Sequence, residues 1–318
     1  MATPKVLVTG GAGFIGSHVV DACLAEGFQV VVVDDLSAGR ASNLNPSAVF
    51  YECDIRSGRL AEIFERERPE FVNHHAAQID VRRSIREPVI DAEINILGSL
   101  NLLECARKYS VRKIVYSSSG GAIYGEPVYQ PCDENHPIQP ISPYGASKYT
   151  VERYLAMYYA LYGIDYTVLR YANVYGPRQD PFGEAGVVAI FARQMLAGQR
   201  VTINGDGLQE RDFIYVQDCA EANRLALRPG APNGAFNLGT GEGVSINRLA
   251  AELAGITGSR LVPDHAPEIK GETRRITLDC AKAGDQLGWR PAVALADGLT
   301  RTVEYFRTNE AIPQEQGR

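Results

Sequence analysis

The chain has 318 residues, of which 45% are hydrophobic, and a formal net charge of −6 at pH 7. This size allows one large α/β domain and a smaller second one, while the negative charge leaves no basic field for nucleic acid or an anionic membrane. No apolar run approaches the roughly 20 residues of a membrane span and no signal peptide precedes the first predicted strand, so we expect a cytoplasmic protein.

The first predicted elements form a phosphate-binding turn. Residues 5–9 are predicted to form a short buried strand because four of them are apolar or β-branched. Gly10, Gly13 and Gly16 then follow at a spacing of three. The first permits a tight turn, the second lets backbone N–H groups approach a pyrophosphate, and the third lets a helix pack closely on the sheet. The positive end of that helix would point at the anion.

A second predicted strand favours NAD as the ligand. A helix is predicted from Phe14 to Glu26, and the following apolar strand ends at Asp34. A carboxylate here can bond the adenosine ribose hydroxyls and repel the extra phosphate of NADP. Arg40 is close enough in sequence to favour NADP instead, although a solvated loop arginine is the simpler interpretation.

Strands and helices continue to alternate up to residue 117. Strands are predicted over 48–53, 71–75 and 113–117, with helices over 57–67 and 88–109 between them. This order predicts a doubly wound parallel sheet covered by helices on both faces, which is a Rossmann fold. Ligands of such sheets bind beyond the carboxyl ends of the strands. Asp54, the segment Ala76-Ala77-Gln78 and the serines 117–119 are expected there.

Cysteine and histidine spacing predicts no metal site. The six cysteines are scattered along the chain, so buried free thiols are expected. His74 and His75 are adjacent at the end of a predicted strand, but no third ligand is near them in sequence. We therefore interpret them as strand-end residues.

Tyr144 and Lys148 are the candidate catalytic residues. They lie four residues apart in a helix predicted to begin near Pro143 and to end near Tyr162, so they share one helical face. A phenol has an ordinary pKa near 10 and acts as a base at neutral pH only where positive charge favours the phenolate. Lys148 and an oxidised nicotinamide ring would supply that charge. Such a pair alone is usually a solvated surface pair, but behind a dinucleotide-binding turn it predicts a catalytic base.

Five motifs in this order resemble the extended short-chain dehydrogenase/reductase family, and within it the UDP-galactose 4-epimerase group. They are the stretches 9–16, 75–78 and 117–125, the pair Tyr144 and Lys148, and the stretch 169–178. The resemblance implies an α/β protein with a Rossmann domain mainly over residues 1–171 that holds NAD firmly. A smaller α/β domain mainly over 172–318, some of whose segments return to the Rossmann sheet, would bind a UDP-sugar.

The resemblance also implies the site residues and a catalytic serine. Counting back from Tyr124 leads to Gly120, whereas counting back from Tyr144 leads to Ser119; we expect Ser119, with Ser118 as the alternative. Asn173 and Arg211 would bind the diphosphate, and Ile276 would lie near the sugar C2 substituent. NAD contacts are expected from Gly10, Gly13, Phe14, Ile15, Gly16, Asp34, Asp35, Asp54, Ile55, Ala76, Ala77, Gln78, Asn95, Tyr144, Lys148 and Tyr171, and substrate contacts from Ser119, Tyr144, Asn173, Val187, Arg211 and Ile276.

One position departs from the family pattern. Relatives usually carry a second diphosphate-binding arginine two residues before a Gly-acidic pair, where this chain has Ile269 before Gly271. Lys270, Arg274 or Arg275 could replace it, although a lysine offers a point charge instead of a planar fork.

The expected reaction is inversion of C4 in a UDP-hexose. Gly121 and Ala122 stand where nucleotide-sugar dehydratases carry an acidic pair, so elimination of water is not favoured. UDP-N-acetylhexosamine and UDP-glucuronate remain alternative substrates, since Ile276 is intermediate in size. Other functions left open are an NAD-linked sugar-nucleotide reductase and a non-catalytic NAD-binding regulator. The resemblance further implies a homodimer joined through a four-helix bundle formed by helices 91–109 and 146–162.

Overall fold

The computed structural model describes residues 3–182, 186–268 and 273–309, and strands and helices alternate through its first half as predicted. A 3-10 turn (Ala41–Asn43) and a π-helical turn (Glu93–Leu97) interrupt the regular elements. In chain order these are β1 (Lys5–Thr9), α1 (Phe14–Ala25), β2 (Gln29–Asp34), β3 (Val49–Glu52), α2 (Arg59–Glu67), β4 (Phe71–His74), α3 (Val81–Arg86), α4 (Pro88–Ala92), α5 (Gly98–Lys108), β5 (Lys113–Ser119), α6 (Gly120–Ile123), α7 (Pro143–Tyr162) and β6 (Asp165–Tyr171).

The second half contributes shorter strands and four longer helices among the described residues. A second π-helical turn (Ala283–Leu287) precedes the last helix. The elements are β7 (Asn173–Tyr175), α8 (Val187–Leu196), β8 (Thr202–Asn204), β9 (Glu210–Tyr215), α9 (Val216–Ala226), β10 (Gly234–Leu238), β11 (Gly243–Ser245), α10 (Ile246–Thr257), β12 (Asp264–Ala266), β13 (Arg275–Ile276) and α11 (Leu295–Asn309). None of the helices within the described ranges is long and apolar enough to cross a membrane.

Seven parallel strands form the main sheet in the order β10-β6-β5-β4-β1-β2-β3. The predicted Rossmann fold is confirmed. The strand order reverses at β1, so the connections leaving β1 and β4 diverge and open a crevice at the carboxyl ends of these strands. Two elements from the second half of the chain belong to this layer, because β10 pairs with β6 and α9 packs against α1.

Alternate residues of each strand supply the cores on the two faces of this sheet. In β1, Val6 and Val8 pack with buried residues of α1 and α9, while Leu7 packs with buried residues of α2, α5 and α7. All three side chains are fully buried. Because helices cover both faces of the main sheet, its strands are runs of valine and leucine and do not alternate with polar residues.

A smaller layer beside the main sheet has its own core. Strand β9 is its centre and pairs with β7 and β13 in parallel and with β11 in antiparallel orientation, while β8 and β12 form a separate pair. Phe191 of α8, Leu253 of α10 and Val303 of α11 pack together with Phe213 of β9. The first strand of this layer, β7, follows directly after the end of β6. The layer therefore adjoins the edge of the main sheet at which the crevice opens.

Candidate active site

The turn between β1 and α1 is built so that only glycine fits. Gly10 has a φ of +68°, and a Cβ added there would lie 2.7 Å from the backbone nitrogen of Ala76. A Cβ on Gly16 would lie 2.1 Å from the carbonyl oxygen of Gly10. Gly13 is the N-cap residue of α1, and it places no side chain over the first turn of the helix, which begins with Phe14 and Ile15. The N–H groups of this first turn therefore remain available to an anion, which fits a dinucleotide pyrophosphate.

Asp34 closes β2 beside this turn. Its two carboxylate oxygens accept hydrogen bonds from the backbone N–H groups of Ala12 and Leu36, each at 2.9 Å. Burial raises the pKa of Asp34 above its ordinary value, and these two bonds oppose that shift. The side chain is 6% exposed. The carboxylate is thus fixed in orientation by its two neighbours, as a ribose-binding acceptor requires.

The guanidinium of Arg40 is partly exposed and forms an ion pair with a distant acid. Its Nη2 lies 2.9 Å from Oδ1 of Asp180, in the segment that follows β7. The backbone N–H of Arg40 donates to the carbonyl oxygen of Ala12 at 3.0 Å. Arg40 is thus a partly solvated loop arginine whose backbone is tied to the glycine turn and whose charge is paired with an acid 140 residues away.

Three further predicted residues, Asp35, Asp54 and Ile55, lie in the loops that follow β2 and β3. Asp35 accepts hydrogen bonds from the backbone and hydroxyl of Ser37, at 3.0 and 2.6 Å. Asp54 forms a close ion pair with Arg56, which lowers the pKa of Asp54. Ile55, next to Asp54, is buried and in contact distance of Gly98 at the start of α5. These side chains fix the loops that follow β2 and β3.

A buried polar network holds the segment after β4. Asn95, in the π-helical turn, accepts from the backbone N–H of Gln78 at 2.8 Å and donates to its carbonyl oxygen at 2.9 Å. Oδ1 of Asp91 accepts from both side-chain amides, each at 3.0 Å. Asn95 also lies 3.2 Å from the hydroxyl of Ser147 in α7. The amide of Asn95 is thus bonded within the protein, and it joins the segment carrying Ala76 and Ala77 to the catalytic helix.

The single helix predicted over 88–109 is interrupted at this point. The π-helical turn between α4 and α5 widens the helix by one residue, a feature often found at functional sites. It brings Asn95 against Gln78. Hydrophobic periodicity could not indicate this, because the distortion follows from a polar contact with a distant loop.

Tyr144 lies at the start of α7, where its position is fixed locally. Ser142 caps the helix by accepting from Gly145 N–H at 3.1 Å, and Pro143 occupies the first turn. Burial raises the pKa of Tyr144 to about 12, and the nearby hydroxyl of Ser119 opposes that shift. Without added positive charge this phenol is protonated at neutral pH.

Lys148 lies one turn further along the same face of α7. Its ammonium donates to the carbonyl oxygen of Ser117 at 2.8 Å and lies 5.0 Å from the ring centre of Tyr116 and 5.9 Å from that of Tyr144. The side chain is 3% exposed, and burial lowers the pKa of Lys148 to about 8, opposed by Asp91 and Glu152. A cation is therefore held beside the phenol of Tyr144 at neutral pH.

The structure distinguishes the two candidate serines. The hydroxyl of Ser118 donates to Oε1 of Glu152 at 2.5 Å, on the buried side of β5. The hydroxyl of Ser119 instead acts on Tyr144, whose pKa it lowers, and Ser119 lies beside Tyr171 of β6 in the sheet register. The two serines therefore have different partners.

Sequence reasoning missed a buried ion pair below these serines. The carboxylate of Glu152 pairs with the guanidinium of Arg170 at 2.6 Å, and both side chains are 5% exposed. Arg170 also bonds the hydroxyl of Tyr124 at 3.0 Å. The signal was available: Glu152 is one turn beyond Lys148, and Arg170 interrupts an otherwise apolar strand. A buried charge at such positions needs a partner.

The predicted substrate residues lie on neighbouring strands of the smaller layer. Asn173 begins β7, and its amide oxygen is 3.7 Å from where a Cβ on Gly121 would lie. Arg211 in β9 is paired in register with Ile276 of β13, and its Nη1 donates to the Glu210 carbonyl oxygen at 2.9 Å. Val187 is the first residue of α8. Asn173 therefore adjoins the segment that follows Ser119, and Arg211 lies on the adjacent strand.

Ile276 is a core residue. It is 3% exposed and packs with Ile123, Tyr124, Cys132 and Leu278. Its branched side chain therefore lies beneath the short helix that follows Ser119.

Two of the three predicted candidates for the second diphosphate contact, Arg274 and Arg275, lie within the described residues. Ile269, Lys270 and Gly271 lie outside the described residues. Arg274 forms a two-point ion pair with Asp206, both distances being 2.8 Å, and Arg275 lies 3.4 Å from Glu210. Both guanidinium groups are thus engaged with acids of the smaller layer.

His74 and Tyr171 form further contacts within the protein. His74 bridges the hydroxyls of Thr9 and Ser99 at 2.7 and 2.9 Å. The Tyr171 ring stacks on His75, and its hydroxyl accepts from Asn223 at 2.7 Å. No cluster of potential metal ligands occurs among the residues that the structure describes.

Comparisons with known proteins agree with this geometry. A model of the NAD dependent epimerase/dehydratase family matches residues 6–239. A UDP-glucose 4-epimerase of Mycolicibacterium smegmatis is 46% identical, covering 95% of this chain and 98% of the relative. The crystal structure of a Thermotoga maritima UDP-glucose 4-epimerase with UDP-glucose is 53% identical, with a TM-score of 0.94 and coverage of 96% and 99%. That of a Thermus thermophilus UDP-glucose 4-epimerase with NAD is 46% identical, with a TM-score of 0.90 and coverage of 95% and 99%.

Proposed function

This chain belongs to the NAD-dependent epimerase/dehydratase family, and on that premise we propose that it is a UDP-hexose 4-epimerase. UDP-glucose and UDP-galactose are the proposed pair of epimers, and the cofactor is NAD. The observation that carries the proposal is the grouping of Tyr144 with the hydroxyl of Ser119, which lowers its pKa, and with the buried ammonium of Lys148, which lies 5.9 Å from the Tyr144 ring centre. Such a set suits removal and return of a proton at a sugar hydroxyl.

The residues present fit NAD. The glycine turn would hold the NAD pyrophosphate. Gly10 and Gly16 lie where no side chain would fit, and Gly13 leaves the N–H groups of the first turn of α1 without a side-chain cap. Asp34 would bind the adenosine ribose, with Asp35, Asp54 and Ile55 along the adenosine. The proposed contacts at the nicotinamide end are Ala76, Ala77, Gln78, Tyr144, Lys148 and Tyr171. We propose that Asn95 acts by fixing Gln78.

Tyr144 is proposed to take the proton from the sugar 4-hydroxyl and later to return it. NAD, when bound, supplies a hydride acceptor and a positive charge at this point. Lys148 favours the phenolate of Tyr144 by Coulomb attraction, and Ser119 aligns the sugar hydroxyl with the phenol. The sugar passes through a 4-keto form, and its rotation in the pocket lets C4 be reduced from the other face. Asn173 and Arg211 would hold the diphosphate, with Val187 and Ile276 near the nucleotide and the sugar.

Turnover of nucleotide sugars tests the proposal. The purified protein is incubated with UDP-galactose, UDP-N-acetylgalactosamine and UDP-galacturonate in turn, with and without NAD, and the products are separated by chromatography. We expect UDP-glucose from UDP-galactose without net formation of NADH. Turnover of only the N-acetylated sugar or only the uronate would move the substrate to that alternative. Three unchanged sugars with NAD bound would contradict epimerase activity on all of them.

Paired serine variants test the proposed role of Ser119. Ser119→Ala is expected to lower kcat by roughly 10- to 100-fold, because it removes the hydroxyl that aligns substrate and Tyr144. Ser118→Ala is the matched control, and we expect kcat near the wild-type value with about 1 kcal/mol less stability from the lost bond to Glu152. Steady-state kinetics and urea unfolding of both variants measure this. A kcat that is lower for Ser118→Ala than for Ser119→Ala would reject Ser119 as the serine that aligns the substrate.

A homodimer is part of the proposal. Exposed apolar side chains lie on α3, α4, the π-helical turn and α7. They are Ile85, Val89, Leu97, Met157 and Leu161, and each is between 42% and 69% exposed. Helices α3 and α4 both pack against α7, so these side chains belong to one group of helices. An exposed apolar surface of this kind favours association with a second copy, and two helices from each copy would form a four-helix bundle.

Sedimentation of a charged variant tests the dimer. Val89→Glu places a carboxylate in the proposed interface, where its burial is unfavourable, and we expect the sedimenting mass to fall to that of one chain. Val262→Glu is the matched control, because Val262 is 73% exposed but lies in the loop before β12. A monomeric wild-type protein, or a Val89→Glu protein that remains dimeric, would contradict this interface.

We also propose that the protein acts in the cytoplasm. All six cysteines are free thiols and five of them are buried. Reduced thiols are the rule in that compartment.

A further inference from the structure

The ion pair between Arg40 and Asp180 lies at the adenosine end of the crevice. Arg40 follows Gly39, and a Cβ on Gly39 would lie 2.6 Å from Oδ1 of Asp34. The backbone of Arg40 is bonded to Ala12 in the glycine turn. Arg40 is therefore anchored next to the carboxylate that would bind the adenosine ribose, and its side chain starts beside that carboxylate.

An arginine at this place has a known chemical use. A guanidinium next to the adenosine ribose can bind the 2′-phosphate of NADP, since it matches a phosphate with two parallel hydrogen bonds. Asp34 opposes NADP by repulsion, but Arg40 adjacent to it would offset that repulsion. The choice of cofactor therefore depends on whether the guanidinium of Arg40 is available.

Asp180 occupies that guanidinium from another part of the chain. The distance from Nη2 of Arg40 to Oδ1 of Asp180 is 2.9 Å, and the side chains are 31% and 47% exposed. The segment carrying Asp180 is itself fixed on α1: His18 bonds the carbonyl oxygen of Pro177 at 3.0 Å, and Arg178 pairs with Asp21 at 2.8 Å. The carboxylate is thus held in place opposite Arg40 by contacts that do not involve Arg40.

We propose that Asp180 is a cofactor-selectivity residue, which holds the guanidinium of Arg40 away from a 2′-phosphate and so completes the preference for NAD that Asp34 begins. A dianionic phosphate entering here meets two carboxylates and a guanidinium whose charge is already paired. Removing the charge of Asp180 weakens its hold on Arg40 and lets the guanidinium turn to the phosphate, while Asp34 still opposes it. The preference for NAD is then weakened but not inverted.

Asp180→Asn is the variant that tests this. Asp180 Oδ1 also accepts from the backbone N–H of Phe182 at 3.0 Å, and the asparagine amide oxygen can keep that bond. The pair is exposed, so its loss has little effect on folding. Each protein is incubated with equal concentrations of NADH and NADPH until the bound ratio is constant, freed of unbound nucleotide by gel filtration, and extracted. The ratio of NADPH to NADH is then measured by chromatography.

We expect Asp180→Asn to raise the bound NADPH to NADH ratio about tenfold, the size of one charge-assisted hydrogen-bonding contact. The double variant Arg40→Ala with Asp180→Asn should return to the wild-type ratio, because the gain requires the guanidinium. Asp21→Asn is the matched control: it breaks the other bridge of the same segment and leaves Arg40 paired, so the ratio should not change.

Two results would overturn the proposal. One is an Asp180→Asn ratio within twofold of wild type, and the other is a double variant that keeps the gain, which would assign it to loosening of the segment. The measurement detects binding and requires no turnover. A protein that selects NADH in this way but leaves every nucleotide sugar unchanged would contradict the proposed epimerase function and leave this inference intact.

Discussion

Tyr144→Phe is expected to lower kcat for UDP-galactose by about a thousandfold, within the range typical of a lost general acid–base group. The substitution removes one hydroxyl from a half-buried ring at the start of α7. The helix cap at Ser142 and the backbone bond from Tyr144 to Ser84 do not involve that hydroxyl. Fold and nucleotide binding should therefore persist, so KM should change much less than kcat.

The matched control is Tyr154→Phe in the same helix. Tyr154 packs against the core on the α2, α5 and α7 face of the sheet, away from Ser119. Its kcat should equal that of the wild type. Bound NAD and the melting temperature are measured for both variants. A Tyr144→Phe protein that kept more than a tenth of the wild-type kcat would reject Tyr144 as the base.

Lys148→Met should abolish most turnover and at the same time stabilise the fold. Turnover should fall by at least a hundredfold, because the positive charge that favours the Tyr144 phenolate is gone. Stability should rise because a buried ammonium is unfavourable in the folded state. The difference between the ordinary pKa of 10.5 and a pKa of about 8 corresponds to roughly 3 kcal/mol. Loss of the bond to the Ser117 carbonyl offsets about 1 kcal/mol of it.

The sign of this effect fixes its pH dependence. Below pH 8 both the folded and the unfolded chain hold the proton on Lys148, so the full cost of the buried charge is present. Between pH 8 and pH 10.5 the folded chain releases the proton while the unfolded chain keeps it, and the wild type becomes relatively more stable as pH rises. The advantage of Lys148→Met should therefore be largest at pH 7 and shrink towards pH 10.

Urea unfolding at pH 7 and pH 9.5 measures this prediction. We expect Lys148→Met to be about 1 to 2 kcal/mol more stable than the wild type at pH 7, and the difference to be smaller at pH 9.5. Lys113→Met provides a comparison, because burial also lowers the pKa of Lys113 to about 8 but its ammonium bonds the Ala231 carbonyl oxygen at the far end of β5. It should leave kcat unchanged. A Lys148→Met protein less stable than the wild type at pH 7 would contradict the argument.

The elements that follow from local sequence were predictable. The glycine turn, the β1 and β2 strands and the start of α7 at Pro143 all follow from backbone rules that act within a few residues. The placement of Tyr144 and Lys148 was predictable for the same reason, because a spacing of four in a helix brings both side chains to one face.

Contacts between distant segments could not be derived in this way. Counting along the sequence gave different answers for the proposed catalytic serine, whereas the structure shows that Ser118 bonds Glu152 and that the Ser119 hydroxyl lowers the pKa of Tyr144. The pairing of Arg40 with Asp180 depends on how the segment after β7 lies against α1. Such contacts depend on tertiary packing, which neither propensity nor periodicity describes.

The return of β10 to the main sheet is a similar case. Gly234–Leu238 is a short apolar stretch within the second half of the chain, and its pattern fits a strand in either layer. It pairs with β6, at the edge of the seven-stranded sheet. Parallel pairing across some 60 residues has no local signal.

The central claim is that C4 is oxidised and reduced by a hydride that never leaves the active site. The most direct test is the conversion of UDP-galactose in heavy water, followed by analysis of the UDP-glucose formed. The account predicts turnover without net NADH and no deuterium at C4, since only the hydroxyl proton handled by Tyr144 exchanges with solvent. Deuterium incorporated at C4, or product formed only with stoichiometric NADH, would contradict it.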